Sequence, residues 1–248
     1  MIRHILFWLV VFATNIIQGI TGFAGTILAM PPSILLVGYD TAKPILNVLG
    51  ILAGLFVFVT QARHVNWKEF GKVVAVMTVG ILGGIGIKAL LHGDMSVLYI
   101  FLGLFVIGLA VHGMWTTYRP REEIAPKSGA LRTAENYTLL LSSGVVHGIF
   151  VSGGPLLIAY LSRVLQEKTT FRATISTVWI VLNSIILVDD LRTGLWTLPL
   201  LKEQLIVLPF FLAGMQLGSK LYHRMNQATF MKLTYILLFI SGVILLFK

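Results

Sequence analysis

The first uncharged stretch of the chain covers residues 5–37 and reads ILFWLVVFATNIIQGITGFAGTILAMPPSILLV. As one continuous α-helix its 33 residues would be about 50 Å long. The hydrocarbon core of a bilayer is about 30 Å thick, so the stretch is too long for a single straight crossing. We therefore predict that it bends, breaks or turns back within the membrane.

The composition of the chain is that of an integral membrane protein. Of its 248 residues, 56% are hydrophobic and 12% are charged, and the mean hydropathy is +0.88. A soluble domain carries about twice that share of charge. Because hydrophobic runs fill the chain, we predict one all-helical membrane domain without a separate soluble domain. The absence of cysteine excludes disulfides, thiolate nucleophiles, iron–sulfur clusters and thiolate metal sites.

The charge balance is basic, with 19 Lys and Arg against 10 Asp and Glu, for a net charge of +9. Such an excess can indicate a nucleic-acid partner. In a chain this hydrophobic, it indicates loops that face the anionic cytoplasmic leaflet. We expect the partner to be the lipid bilayer and not nucleic acid.

Charged residues divide the chain into about eight membrane segments, or ten if the two long ones are broken and count twice. The second long segment, residues 136–162, is also glycine-rich in its middle, and each long segment stands at the start of one half of the chain. This arrangement indicates a duplication. The segments are residues 5–37, 44–62, 73–87, 95–118, 136–162, 173–188, 204–219 and 233–247.

A shift of 129 residues aligns the two halves. Between residues 15 and 67 it gives 11 identities in 53 positions, and glycines, loop cations and a tryptophan are among the matched residues. The alternative is coincidence in a hydrophobic chain of low complexity. We predict a first repeat at 1–118, a linker at 119–135 and a second repeat at 136–248. Since residues 15–37 belong to the repeat, we expect the preceding apolar run to be retained and not removed as a signal peptide.

The distribution of Lys and Arg predicts the topology. If all eight segments cross the membrane, the two sides carry 11 and 8 basic residues. If the two long segments instead break and return to their starting side, the split becomes 13 to 6. The positive-inside rule favours the second arrangement, in which the repeats are inverted and both termini lie outside. Inverted repeats with broken helices are typical of secondary transporters.

Two glycine motifs resemble those of a known family. Residues 18–25 read QGITGFAG and residues 147–155 read HGIFVSGGP, and each is followed by an apolar half-helix and then by a span that begins with Lys or Arg. In this the whole chain resembles the sulfite exporter TauE/SafE family. The resemblance implies transport of sulfite, thiosulfate, sulfoacetate or another organosulfonate or organic acid. We expect export, although the sequence does not contain the gradients and coupling ion that set the direction. The resemblance also implies a prokaryotic inner membrane and no nucleotide-hydrolysing partner.

The same motifs have a physical interpretation. Unpaired backbone amides cannot face lipid, so each break must face protein, water or a ligand. The half-helix beyond a break presents N–H groups and a positive dipole end, which suits an anion. Pro155 fits the first turn of the second half-helix, and Thr26 matches it in the first. The alternative is that the glycines serve close helix packing.

Polar residues inside the predicted spans mark the candidate substrate site. His147 aligns with Gln18, and it is either a proton carrier and anion partner or a neutral histidine bonded within the bundle. Lys43 and Arg172 either attract anions at the entrances or anchor helices at the interface, and we expect no carboxylate in the middle of a span. The candidate site residues are Gln18, Gly22, Gly25, Thr26, Asn47, His147, Ser152, Gly153, Gly154, Ser176 and Asn183.

Several functional questions stay open in the sequence. The coupling ion is a proton or sodium, and the chain is monomeric or a homo-oligomer. No metal or cofactor is expected. A passive anion channel is one alternative to a carrier. An intramembrane serine hydrolase using Ser152 and His147 is another, although residues five apart on one helix point to different faces; we therefore predict that the protein is not an enzyme.

Overall fold

The structure is a computed structural model that describes residues 2–90, 129–151, 153–165 and 167–222, with isolated positions between 100 and 115 and between 236 and 243. All regular structure in these ranges is helical, which confirms the all-α prediction. The helices are α1 (Ile2–Thr21), α2 (Gly25–Val37), α3 (Tyr39–Gln61), α4 (Trp67–Leu90), α5 (Gly129–Phe150), α6 (Gly154–Val164), α7 (Lys168–Arg192) and α8 (Leu198–Tyr222), with a 3₁₀ turn at Ala62–His64.

Five of the described helices, namely α1, α3, α4, α7 and α8, are long and apolar enough to cross a membrane. Helices α2 and α6, with 13 and 11 residues, are too short to cross alone. Large apolar side chains such as Val59 and Leu198 are exposed on the outer surface, as expected where a protein meets lipid. The predicted segments 95–118 and 233–247 and most of the linker fall outside the described residues, apart from isolated positions.

The break predicted within residues 5–37 is present. Helix α1 ends at Thr21 and α2 begins at Gly25. Between them Gly22 has a φ of +83°, a backbone conformation that glycine adopts without steric cost. Helix α2 then turns back, because its last residues (34–37) and the first residues of α1 (2–4) line the same surface cavity. The unit therefore returns to the end of the molecule from which it started.

The second long segment breaks in the same manner. Helix α5 ends at Phe150 and α6 begins at Gly154. Between them Val151 has a φ of +54°, which is an outlier for a β-branched residue. Helix α6 returns toward the start of α4, where the Tyr160 hydroxyl accepts a hydrogen bond from Lys72 at 2.7 Å.

Glycines allow two pairs of helices to pack closely. In the α1–α8 pair, Gly214 lies against Phe12 and, one turn later, Gly218 lies against Ile16, so the two helices run parallel. A Cβ placed on Gly19 would lie 2.7 Å from the carbonyl oxygen of Met215, which leaves no room for a larger residue. Helices α4 and α5 also run parallel and pack through Gly80, Gly84, Gly144 and Gly148.

The centre of the molecule is the contact between α3 and α7. Lys43 near the start of α3 pairs with Asp190 near the end of α7. Farther along α3, Asn47 donates to the backbone carbonyl of Asn183 at 2.9 Å. Because residue numbers rise on one helix as they fall on the other, α3 and α7 are antiparallel. This contact places a row of polar side chains inside an otherwise apolar core.

Candidate functional site

The two breaks face one small cavity in the interior. Its volume of about 20 Å³ is room for about one water molecule. Both breaks contribute to the wall, together with α3 and α7. The lining residues are Gln18, Phe23, Thr26, Ile27, Gly50, His147, Val151, Gly154, Trp179 and Asn183.

Five of the candidate residues from the sequence come together at this cavity. They belong to five different helices, and up to 165 positions of sequence separate them. Convergence of polar side chains from distant segments on one enclosed space is what a ligand site requires. These residues are Gln18, Thr26, His147, Gly154 and Asn183.

Gln18 caps the first half-helix. Its Oε1 accepts a hydrogen bond from the backbone N–H of Gly25 at 2.6 Å, and the Thr21 hydroxyl lies 3.3 Å from the backbone nitrogen of Ala24, from which it accepts. The glycine motif predicted that the first N–H groups of this half-helix meet an anion. The N–H of Gly25 is already bonded within the protein, so Gln18 takes that role.

His147 lies on the opposite wall and belongs to a polar cluster. Its Nε2 is 2.8 Å from Oδ1 of Asn183, and its ring packs on Trp179 with ring centroids 4.9 Å apart. Within the described part of the chain, His147 Nδ1 and Trp179 Nε1 are buried and have no hydrogen-bond partner. Polar atoms left in this state are costly, so they are suited to bind a ligand.

The other candidate residues lie around the cavity and do not line it. Asn47 is fully buried below it and bonds to α7. Ser176 faces the first break, with its hydroxyl 3.4 Å from where a Cβ on Gly22 would lie. Gly153 packs on Ser143 and accepts a hydrogen bond from its hydroxyl at 2.6 Å. Ser152 lies outside the described residues.

The cavity also has walls that the sequence analysis missed. Phe23, Ile27 and Val151 are apolar and give no chemical signal in a hydrophobic chain. Gly50 and Trp179 lie opposite each other on α3 and α7 and are 129 positions apart. The same shift that aligned the glycine motifs could have identified this pair.

Two charged residues lie in the interior. The sequence left Lys43 either attracting anions at an entrance or anchoring its helix at the interface, and it gave Asp190 no role. Both are fully buried and form an ion pair with each other, because the start of α3 packs against the end of α7. A hydropathy profile cannot detect this, since a buried helix end and an exposed one have the same local sequence.

Arg172 is also buried and holds the first break. Its guanidinium donates to the backbone carbonyl of Gly19 at 3.1 Å. Its Cγ would lie 3.0 Å from a Cβ on Gly22, so a side chain at Gly22 would displace it. Arg172 therefore stabilises the end of α1 instead of anchoring α7 at the membrane surface.

The site offers no metal centre within the ranges that the structure describes, where no cluster of three or more His, Cys, Asp or Glu residues is found. The ligand chemistry available is hydrogen bonding from amides, an indole, a hydroxyl and an imidazole. Such groups bind and orient a polar solute.

Two broken helices that meet at a polar cavity within a helical membrane domain are the architecture of a membrane transporter. The chain belongs to the family described as Sulfite exporter TauE/SafE, whose model matches residues 7–245. This confirms the resemblance seen in the glycine motifs. The protein is thus a multi-pass membrane transporter.

A curated relative has a matching description. The chain is 28% identical over 186 residues to a protein of Comamonas testosteroni described as "Probable inner membrane transporter protein TsaS", and the match covers 73% of this chain and 72% of that protein. No solved structure matches the chain.

Proposed function

We propose that the protein is a secondary transporter that carries a small anion across the prokaryotic inner membrane. The substrate class is sulfite, thiosulfate, sulfoacetate or another organosulfonate or organic acid. The observation that carries the proposal is the meeting of both helix breaks at one cavity with Gln18, Thr26, His147, Gly154 and Asn183 in its wall. No carboxylate lines that cavity among the described residues, which suits an anion.

An inverted duplication of the chain is part of this proposal, and the helix boundaries support it. At a shift of 129 residues, the ends of α1 and α5, the starts of α2 and α6, and the starts of α3 and α7 coincide. The two positive-φ positions, Gly22 and Val151, coincide as well. Helices α3 and α7 are therefore equivalent, and they run antiparallel. Equivalent helices with opposite directions are expected if one half is inverted relative to the other.

The cavity supports an alternating-access mechanism. At about 20 Å³ it is smaller than an oxyanion, so the substrate enters when the two halves move relative to each other. The anion accepts hydrogen bonds from Trp179 Nε1 and from the amide of Gln18. Val151 and Gly154 of the second break line the same cavity. The proposed membrane domain has eight segments, or ten if the half-helices are counted. In this mechanism the path from the cavity to the aqueous phase opens to one side of the membrane at a time.

The orientation follows from the charges at the two ends of the molecule. Arg63, Lys68 and Lys72 lie where α3 ends and α4 begins. We place this end in the cytoplasm and both termini outside. Cysteines at His64 and Thr197, both exposed, test this placement in a protein without native cysteine. Labelling of residue 64 from the cytoplasm and of residue 197 from outside is expected; labelling of both from one side would contradict it.

Counterflow in proteoliposomes tests the function. Vesicles loaded with thiosulfate or sulfite should take up the labelled anion with saturable kinetics and a transient overshoot, and the anion should remain chemically unchanged. Linear uptake without an overshoot would indicate a channel, and a cleaved or modified product would indicate an enzyme. We propose export as the direction when the anion is produced inside the cell.

A further inference from the structure

The Lys43–Asp190 ion pair is not part of the cavity wall. Neither side chain has any solvent exposure, and the ammonium is bonded to the carboxylate. Burying an ion pair is unfavourable compared with burying apolar residues of the same size, so such a pair is weak evidence for a stabilising role. Its position in a transporter therefore calls for a functional explanation.

The pair lies between the central cavity and a surface cavity at the start of α3. On α3, Gly50 lines the cavity, Lys43 is seven residues earlier, and Asp40 lines a surface cavity at the helix start. On α7, Asn183 lines the cavity and Asp190 is seven residues later. Seven residues of helix span about 10 Å. A solute that moved from the central cavity along α3 and α7 toward this surface cavity would pass the ion pair.

The pair is also linked to the cavity through hydrogen bonds. Asn47, one turn after Lys43, donates to the backbone carbonyl of Asn183, and the Asn183 side chain is bonded to His147 in the cavity wall. Lys43 is thus bonded to Asp190 on one side. Toward the cavity, the next polar group along α3 is Asn47, which is bonded to Asn183. An anion in transit would meet Lys43 as its first full positive charge along this route.

We propose that this ion pair couples anion transport to a proton, an inference that rests on the proposed function. A proton from water binds the Asp190 carboxylate, which becomes a neutral acid and releases the Lys43 ammonium. The anion then replaces Asp190 as the partner of Lys43. When the anion leaves, the proton leaves Asp190 and the ion pair forms again.

Electrostatics makes this coupling strict. Protonating Asp190 alone would leave Lys43 as an uncompensated buried charge, and binding the anion alone would add its negative charge to that of Asp190 beside a single positive charge. Both states are strongly unfavourable in a dry interior. Proton and anion are therefore bound together. An inward proton gradient would then favour uptake, so export requires a steeper outward gradient of the anion.

The surrounding titratable groups are placed differently from Asp190. Asp40 on α3 and Arg192 on α7 are exposed, and Asp189 is partly exposed. His4 on α1 is bonded to Glu203 on α8, and His147 on α5 is bonded to Asn183. Helix α2 contains no titratable side chain. Asp190 is the one fully buried carboxylate among the described residues.

The test uses the Asp190→Asn variant of the full chain in proteoliposomes with thiosulfate as the probe and a pH dye inside. Thiosulfate stays a dianion from mildly acid to mildly alkaline pH, so any pH dependence belongs to the protein. In the wild type, inward thiosulfate flux should acidify the lumen, and an acid exterior should drive accumulation. The variant should keep thiosulfate–thiosulfate exchange but lose acidification and accumulation.

Asp189→Asn is the matched control, because it makes the same change one residue away on a side chain that does not pair with Lys43. It should behave like the wild type. If Asp190→Asn fails to fold, the double variant Lys43→Gln/Asp190→Asn removes both buried charges, and it should also show no proton coupling.

The outcomes separate the two proposals. Wild-type exchange without proton movement, or proton coupling retained in either Asp190 variant, overturns the ion-pair inference and leaves the transporter proposal intact. Absence of thiosulfate and sulfite exchange in the wild type overturns the proposed function, and the inference falls with it.

Discussion

In the first helix break, Gly22 takes a positive φ and the neutral Gln18 caps the following half-helix. In the second, Val151 takes a positive φ and His147 stands where the first break has Gln18. The two breaks have a similar backbone conformation and differ in their side chains. A β-branched residue in this conformation stores strain, which glycine avoids.

The walls around the breaks differ in the same way. The position of Gly50 on α3 corresponds to Trp179 on α7, and both line the cavity. The first half thus contributes a capped break and a glycine that Asn183 approaches closely, whereas the second contributes an indole and an imidazole with hydrogen-bonding atoms unused within the described chain. We infer that the first half provides the frame of the site and the second provides most of its recognition.

The largest expected effect comes from filling the cavity at the second break. A Cβ on Gly154 would lie 2.8 Å from the Ile27 side chain and 3.6 Å from Trp179, so Gly154→Leu would occupy the substrate space. Thiosulfate flux should fall by at least about a hundredfold, or about 2.7 kcal/mol, while the protein stays in the membrane. Gly83→Leu is the control, because nothing lies within 4 Å of that position. Normal flux in Gly154→Leu would place the anion elsewhere.

The next prediction tests the recognition role of the second half. Trp179→Phe keeps an aromatic ring and removes the Nε1–H donor. Loss of one hydrogen bond to a charged ligand costs about 1.5–3 kcal/mol, or about ten- to a hundredfold in thiosulfate affinity. Trp67→Phe, at an exposed indole, should leave affinity unchanged. Equal affinities in both variants would show that Trp179 contributes packing alone.

Exchanging one break residue for its counterpart sharpens the comparison further. His147→Gln places in the second half the residue that the first half carries. Gln can still donate to Asn183, so we expect flux to be retained with an affinity reduced by less than about tenfold, or 1.4 kcal/mol. The pH dependence of flux should not change, because the proposed proton site is Asp190. An altered pH profile would move the coupling to His147.

The sequence predicted the scaffold better than the chemistry. Two overlong segments with glycines near their centres indicated the breaks, because chain length and bilayer thickness are enough to require them. Five candidate residues meet at the cavity for the same reason, since polar groups inside a span must face its interior. The burial of Lys43 and Asp190 and the place of Trp179 in the cavity wall were not predicted, because these environments depend on which helix covers each residue. Contacts between α3 and α7 form across about 130 residues, and no local pattern encodes them.

The smallest expected effect concerns the helix that follows each break. Helix α3 begins after Gly38, which offers no side-chain cap, whereas α7 begins after Glu167, which accepts from the backbone of Thr170 and Thr169. The hydrogen bonds from Thr170 and then Thr169 lower the pKa of Glu167 from 4.5 to about 2. A lowered carboxyl pKa means that the cap stabilises the fold above its ordinary pKa and that this stability is lost as pH falls toward the lowered value.

Glu167→Gln should therefore lower the melting temperature slightly at neutral pH, by weakening charge-assisted bonds at a helix N-terminus. The difference from the wild type should shrink as the pH is lowered through the acid range, and Asp189→Asn, which alters neither a helix N-cap nor one of the described ion pairs, should not reproduce that pattern. A difference that is constant with pH would show that the charge of Glu167 does not support α7.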